Sequence, residues 1–489
     1  MGVLRVAAEL ERRSVGVPVD TGGKGMKAAR TPYDVVVAGG GVSGSMAAIA
    51  AARAGVKVLV IEEQGFLGGS LTAMGVGPMM SFHNPAGQQV VRGLPDEMIE
   101  RLKARGASLG HIPDTTTYCS TVTPFEAEEL KIELETMLVE AGGEYLYHTQ
   151  IAEVERRANA IASVTVCNKR GLTPLQATVF IDATGDGDVA ARAGVPFHAG
   201  RPADHAMQPM TMNLKVGNVD TAAIRQYALE HPDDFLFHPL GQEEALRRLR
   251  ASPRLSLAGF LRAWTAARAR GEVDVPRDQV LFFETPTPGV VIVNTSRIIG
   301  LDPTDPFQLS RAESIGRRQC VQIFNFLKKH AVGFQQAIRM DTSAKIGVRE
   351  SRHIEGRYTI TAEDILTSRA FDDCIAVGGY PIDIHASGDT ATHTTHLEPD
   401  TKYQIPLRAL EPQRVDNLLV VGRCISATHE AAAAFRVTPI SMAIGQGGGV
   451  AAAEAVHAGA PIAALPFERI RARLLAQNAF LPSSAGFFA

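Results

Sequence analysis

The stretch Tyr33–Glu63, YDVVVAGGGVSGSMAAIAAARAGVKVLVIEE, constrains the fold more than any other part of the chain. A short apolar run, Asp34 to Ala38, meets the pattern Gly39-x-Gly41-x-x-Gly44. An Ala-rich segment follows, then Gly55, then a second apolar run from Val56 to Ile61 that ends in Glu62 and Glu63. Strand, glycine turn, helix, strand, acid is the order of a dinucleotide-binding unit. Gly39 permits the tight turn, Gly41 lets backbone approach a pyrophosphate, and Gly44 with Ala47, Ala48 and Ala51 lets the helix pack close on the sheet. Val42 and Ser43 open that helix, whose unpaired N–H groups and positive dipole end suit a phosphate. Glu62 stands ~20 residues beyond the glycines, where a carboxylate accepts ribose hydroxyls.

The same unit serves NAD and the ADP half of FAD, so later segments must decide. Gly68-Gly69-Ser70-Leu71-Thr72 follows the acid directly, with Gly75 and Gly77 beyond it. Such a loop lets an extended cofactor run on from the ribose toward a second site. Ala177 to Gly194 reads as an apolar strand, then Ala183-Thr184-Gly185-Asp186-Gly187-Asp188, then a small-residue helix. Asn417 to Val421 is a buried strand delivering Gly422 and Arg423, and a helix containing Gln446-Gly447-Gly448-Gly449 starts within Pro439 to Gly449.

With Leu67-Gly68-Gly69, Ile346-Gly347-Val348-Arg349-Glu350-Ser351-Arg352, Asp383-Ile384-His385 and Gly422-Arg423-Cys424-Ile425-Ser426, the chain resembles the bacterial FAD-dependent oxidoreductase family. That family lies within the glutathione-reductase-type, two-dinucleotide-fold flavoproteins. The resemblance runs from about Tyr33 to about Gly459. It implies FAD as cofactor and an α/β fold: a Rossmann-like FAD-binding domain with an inserted α+β substrate domain. It also implies that Ala183, Thr184, Gly185 and Asp188 close over the cofactor, that backbone at Ile151 touches adenine, and that Gln446 to Gly449 aim a helix start at the flavin. Many relatives carry an acid where Arg423 stands, so Gly422 is the firmer cofactor residue of that pair.

The division expected along the chain is an N-terminal extension (1–30), FAD domain (31–200), substrate domain (201–387), FAD domain again (388–460) and a tail (461–489). The first segment is charged (Arg5, Glu9, Glu11, Arg12, Arg13), has no apolar stretch fit for a signal peptide, and contains an alternative start at Met26. Thr123-Pro124-x-Glu126 reads as a helix start, Ser310-x-x-Glu313 opens a second helix and Thr361-x-x-Asp364 caps a third.

A net charge of −3 gives no electrostatic case for nucleic acid or an anionic membrane. No apolar run reaches the ~20 residues of a membrane helix. Five scattered cysteines without a CxxC exclude a dithiol or metal framework and fit a reduced, cytoplasmic setting. No metal site is expected, since His393 and His396 lack a third ligand of suitable spacing.

His385 stands where the inserted segment hands back to the FAD domain, and an imidazole suits the proton that accompanies hydride transfer. Arg349 is the second catalytic candidate, as an anchor for a carboxylate or a carbonyl. With Arg352 it would share a face if the segment were helical, with Glu350 and Glu355 as partners. His83, His429 and Arg436 are candidates for the pocket wall, while Cys424 and Trp264 read as packing.

The expected reaction is hydride transfer from a small polar organic substrate (C–OH or CH–CH) to flavin N5. Two alternatives are reduction of an activated C=C bond in a carboxylate substrate, and a non-redox flavin protein or isomerase. Only one dinucleotide fingerprint is present, so oxygen, a quinone or an electron-transfer protein is the expected electron acceptor. A homo-oligomer is left open.

Overall fold

The glycine motif sits on a parallel sheet. In the computed structural model, which describes residues 32–237, 239–385 and 392–482, five strands form it: β1 (Tyr33–Ala38), β2 (Val58–Ile61), β3 (Glu144–Leu146), β4 (Ala177–Asp182) and β5 (Leu418–Val420). Their order is β5-β4-β1-β2-β3, every pair parallel. Helix α1 (Val42–Arg53) links β1 to β2. The chain builds outward from β1 to β3 and then returns to its other side as β4, so the order reverses between β1 and β4. Ala38 and Asp182 are the paired residues at that switch point, and Gly39 and Ala183 lead out of it into a crevice.

β1 is apolar without alternation because both its faces are covered. Val35 and Val37 join the core beneath α1, while Val36 and Ala38 join one shared with Ile161, Val164 and Val166 of an antiparallel three-stranded sheet. A second long helix, α2 (Thr438–Ala458), crosses α1 at backbone contact. A Cβ at Gly445 would lie 2.1 Å from the Ser43 carbonyl oxygen, and one at Gly449 2.1 Å from that of Ala47.

A separate core, built from residues between Met210 and Val348, stands on an antiparallel sheet. Its strands run Ser256–Gly259, Val280–Glu284, Val291–Val293, Leu214–Gly217, Ile338–Thr342. The helix Pro306–His330 packs Ala312, Cys320, Ile323, Phe326 and Leu327 into this core. Trp264 is a core residue there, edge-on to Phe326 at 4.8 Å. Ile360, Ile365, Cys374 and Ile382 already pack in the first core, so the chain returns to it well before Gly388.

Two helix starts differ from the sequence reading. Thr123 lies in a short strand and hydrogen-bonds His111, so that helix begins at Ala127. The helix expected from Ser310 begins a turn earlier, because Asp305 caps the N–H groups of Phe307 and Gln308 behind Pro306. The Thr361–Asp364 capping box forms as read. The extension at 1–30 lies outside the described residues. Among the described residues, no helix is long and apolar enough to cross a membrane.

Candidate active site

One cavity of about 1080 Å³ extends from the crevice beyond β1 and β4 to the antiparallel sheet. At its glycine end, the turn after β1 packs so tightly that a Cβ on Gly39, at φ +99°, would fall 2.4 Å from the Ala183 oxygen. Gly41 is different. A Cβ there meets only Gly69 Cα, at 3.9 Å, and Gly41 lines the cavity. The Glu62 carboxylate is fixed on the wall by the N–H groups of Gly40 (2.7 Å) and Gln64 (2.8 Å). Burial raises its pKa, and those two N–H groups work against the rise.

The residues brought to this wall are Gly39, Gly41, Val42, Ser43, Glu62, Glu63, Gly69, Ser70, Ile151, Ala183, Thr184, Gly185, Asp188, Gly422 and Arg423. Eight others expected at the cofactor do not reach it. Gly44 packs beneath the turn against Gly39, Gly68 donates its N–H to the Gly40 oxygen, and Thr72 bonds the Leu67 oxygen. Gly75 packs on Ser343.

Gln446, Gly447, Gly448 and Gly449 lie in the middle of α2, not at its start. Gln446 accepts the Leu94 N–H at 3.1 Å, and the glycines permit close packing on Ile375, Val421 and Ala47. The helix end that meets the cavity comes earlier, at Val437 and Thr438.

Arg423 reaches Asp186 at 2.6 Å and Ser351 at 2.7 Å. Asp186, from a neighbouring loop, is thus ion-paired with Arg423 on the cavity wall. Lys345, which no motif pointed to, lines the same region and pairs with Glu63 at 2.5 Å.

The same cavity is lined by His385, Asp383, Arg349, Arg436, Arg277, Tyr118 and Tyr380. His385 ends the strand Ile382–His385, with Nε2 3.3 Å from Asp383 and Nδ1 3.2 Å from the Thr392 hydroxyl. Burial and the Arg349 charge push its pKa down to about 3, although Asp383 opposes this, so the imidazole is neutral. Burial would raise the Asp383 carboxyl, yet His385, Arg436 and Tyr118 hold it well below the usual carboxylate range.

The segment 347–351 is irregular and leads into the strand Arg352–Ile354, so Arg349 and Arg352 share no helix face. Arg349 donates to the Pro209 oxygen and the Thr211 hydroxyl, both at 2.6 Å, whereas Arg352 pairs with Asp188. Glu350 turns away to the buried His353 and His429. His83 lies off the cavity against Thr121, and His396 lines the cavity while His393 is exposed. The buried Cys424 has its thiol pushed up by burial, as befits packing. Arg277 was missed because a buried arginine leaves no hydropathy signature. Trp264 Nε1 donates to its carbonyl at 2.7 Å, fixing the backbone there.

These residues fit FAD. The glycine turn leaves backbone open to the cavity, a fixed carboxylate stands beyond it, and the volume exceeds what ~300–1,000 Å³ ligand pockets usually provide, leaving room for a substrate. A family model described as FAD dependent oxidoreductase matches residues 34–474. Among solved structures, the chain is similar to a geranylgeranyl bacteriochlorophyll reductase-like protein from Thermoplasma acidophilum, at 14% identity over 92% of this chain and 84% of that one, TM-score 0.43. It is also similar to p-nitrophenol 4-monooxygenase from Pseudomonas putida DLL-E4, at 13% identity over 91% and 84%, TM-score 0.45. L-proline dehydrogenase from P. horikoshii aligns at 12% identity over 92% and 99%, TM-score 0.42. None of the curated proteins compared with the chain matches it.

Proposed function

The chain belongs to the FAD dependent oxidoreductase family, and from that premise we propose that it is a dehydrogenase of a small polar organic substrate, acting on a C–OH or CH–CH unit. FAD, when bound, supplies the two-electron acceptor for the hydride. The protein contributes a proton acceptor, charged groups that orient the substrate, and walls that exclude water.

One observation carries this reading: His385 and Asp383 line the same cavity as Gly39, Gly41 and Glu62. With Nε2 turned to Asp383, the His385 ring keeps Nδ1 as its acceptor atom, reached through or beside the Thr392 hydroxyl. A neutral imidazole takes a proton, which is the need of oxidation rather than of reduction. As hydride leaves the substrate carbon, the hydroxyl or α-carbon proton passes to His385 and then to solvent.

Reduction of an activated C=C bond is the second reading. It is favoured by burial and by the Arg436 and Arg277 charges, which push Arg349 well below its ordinary range and ease proton donation.

Anaerobic mixing of the holoenzyme with a panel of hydroxy and saturated acids, alcohols and amines tests the direction. Bleaching of the flavin by one of them is expected. Reoxidation of pre-reduced flavin by the unsaturated compounds, with no bleaching by the saturated ones, would favour the reductase.

Neither NADH nor NADPH is expected to reduce the flavin rapidly at micromolar concentration. The parallel sheet with the single glycine fingerprint is committed to FAD, which leaves oxygen, a quinone or an electron-transfer protein as acceptor. Fast anaerobic reduction by either nucleotide would refute this.

A further inference from the structure

Among the described residues, one part of the cavity wall carries more buried positive charge than buried carboxylate. Arg277, Arg349 and Arg436 line it from three separate chain segments. Arg277 is only 4% exposed, and its Nε has no hydrogen-bond partner among the described residues. The buried Nε of Arg436 has none either. Arg349 is engaged by neutral acceptors, the Pro209 oxygen and the Thr211 hydroxyl. The carboxylate buried with them is Asp383, 3.5 Å from Arg436. Asp278 also lines the cavity, but its half-exposed carboxylate is bound by Arg268 at 2.8 Å. Among the described residues, three guanidiniums line the cavity and Asp383 is the buried carboxylate beside them.

A buried cation without a counter-charge is costly, and each buried donor left unpaired adds to that cost. Packing does not explain why arginines stand here, since apolar residues of similar volume would stabilise such a wall as well. An anion entering the cavity removes the cost.

We propose that the substrate is a small organic carboxylate, a dicarboxylate by the charge excess, held by Arg277, Arg349 and Arg436. This rests on the dehydrogenase reading above and narrows its substrate class. The guanidinium fork matches a carboxylate with two parallel hydrogen bonds. Phosphate shares that chemistry and serves as the control.

A consequence concerns the base. Among the described residues, the groups facing the His385 ring are Asp383, Thr392, Arg349 and Arg277, with Arg436, Tyr118 and Tyr380 around Asp383, while the Gln208 side-chain oxygen accepts the His385 backbone N–H. The Arg349 and Arg277 charges disfavour an imidazolium. A bound carboxylate offsets those charges, so His385 becomes a better base once substrate is in place. The acid limb of kcat, which reports the complex, is then expected at higher pH than that of kcat/KM, which reports the free enzyme.

The direct test titrates the FAD-loaded protein with malonate, which has no C–OH or CH–CH unit to oxidise, and follows the flavin absorption spectrum. Malonamide and inorganic phosphate are the comparison arms. Saturable perturbation by malonate is expected, with no effect of malonamide and weaker binding of phosphate. Arg349→Lys and Arg277→Gln should each weaken malonate roughly tenfold to a hundredfold at normal FAD content. Arg436→Lys supplies the same comparison if the Arg277 variant fails to fold.

Equal binding of malonamide, tighter binding of phosphate, no malonate perturbation, or unchanged affinity in folded arginine variants would each overturn the proposal. Its failure is separable from that of the dehydrogenase reading. Bleaching by a neutral alcohol that malonate does not inhibit sinks the carboxylate alone. Malonate binding in an enzyme that no compound bleaches upholds the carboxylate and sinks the dehydrogenase.

Discussion

Gly41→Val yields a folded protein without colour, and added FAD does not restore it. The effect is expected to be near-complete loss of binding, because the new side chain has room in the protein but stands in the cavity. A Cβ at this position approaches nothing closer than Gly69 Cα at 3.9 Å, and the backbone, at φ −64°, is ordinary. The methyls of Val would then occupy the path of the pyrophosphate along the start of α1. Substitution at Gly39 would confuse the two effects, since its positive φ and the 2.4 Å approach to Ala183 strain the fold itself. Flavin absorbance per protein, read beside far-ultraviolet circular dichroism, separates the outcomes. A folded Gly41→Val protein with one FAD per chain would show that the cofactor does not use this turn.

His385→Ala is expected to keep FAD and fold while slowing flavin reduction by substrate roughly 10²–10⁴-fold, the usual range for losing a general base. His385 ends the strand Ile382–His385 and is no part of the glycine turn, so FAD content is expected to hold in the variant. Rapid mixing under anaerobic conditions measures the rate, and an alanine variant that bleaches at the wild-type rate would remove His385 from the mechanism. Arg349 would then be the next residue to vary. Asp383→Asn is a less clean substitution than its orienting role implies. The same carboxylate also meets Arg436 at 3.5 Å and Tyr380 at 3.5 Å, so the change unbalances the arginine cluster as well as the imidazole.

The β1–α1–β2 unit was legible because every level agreed: apolar runs of strand length, glycines where backbone must turn or approach, and small residues where helices cross. The same logic misplaced Gln446 to Gly449. A glycine run reads equally as a helix start or as a helix crossing, and only the position of α1 beneath it decides for the crossing. Arg349 and Arg352 would have shared a face only in a helix; the segment is not helical, and the two are held by partners far away in sequence, which no local pattern records. His385 was singled out as standing at the return of the chain, yet that return comes earlier, by Ile360; what the structure shows is that His385 lines the cavity. Arg277 and Lys345 were not singled out, because each acquires meaning only when the antiparallel sheet folds back over the crevice.

The central claim is that cofactor chemistry and the His385–Asp383–arginine cluster meet in one cavity. A crystal structure of the FAD-loaded protein with malonate tests it most directly. The account predicts the dinucleotide along Gly39, Gly41 and Glu62, with malonate on Arg277, Arg349 and Arg436 in the gap between the flavin ring and His385. A flavin ring that points away from His385, with the arginines walled off from it, would contradict the account.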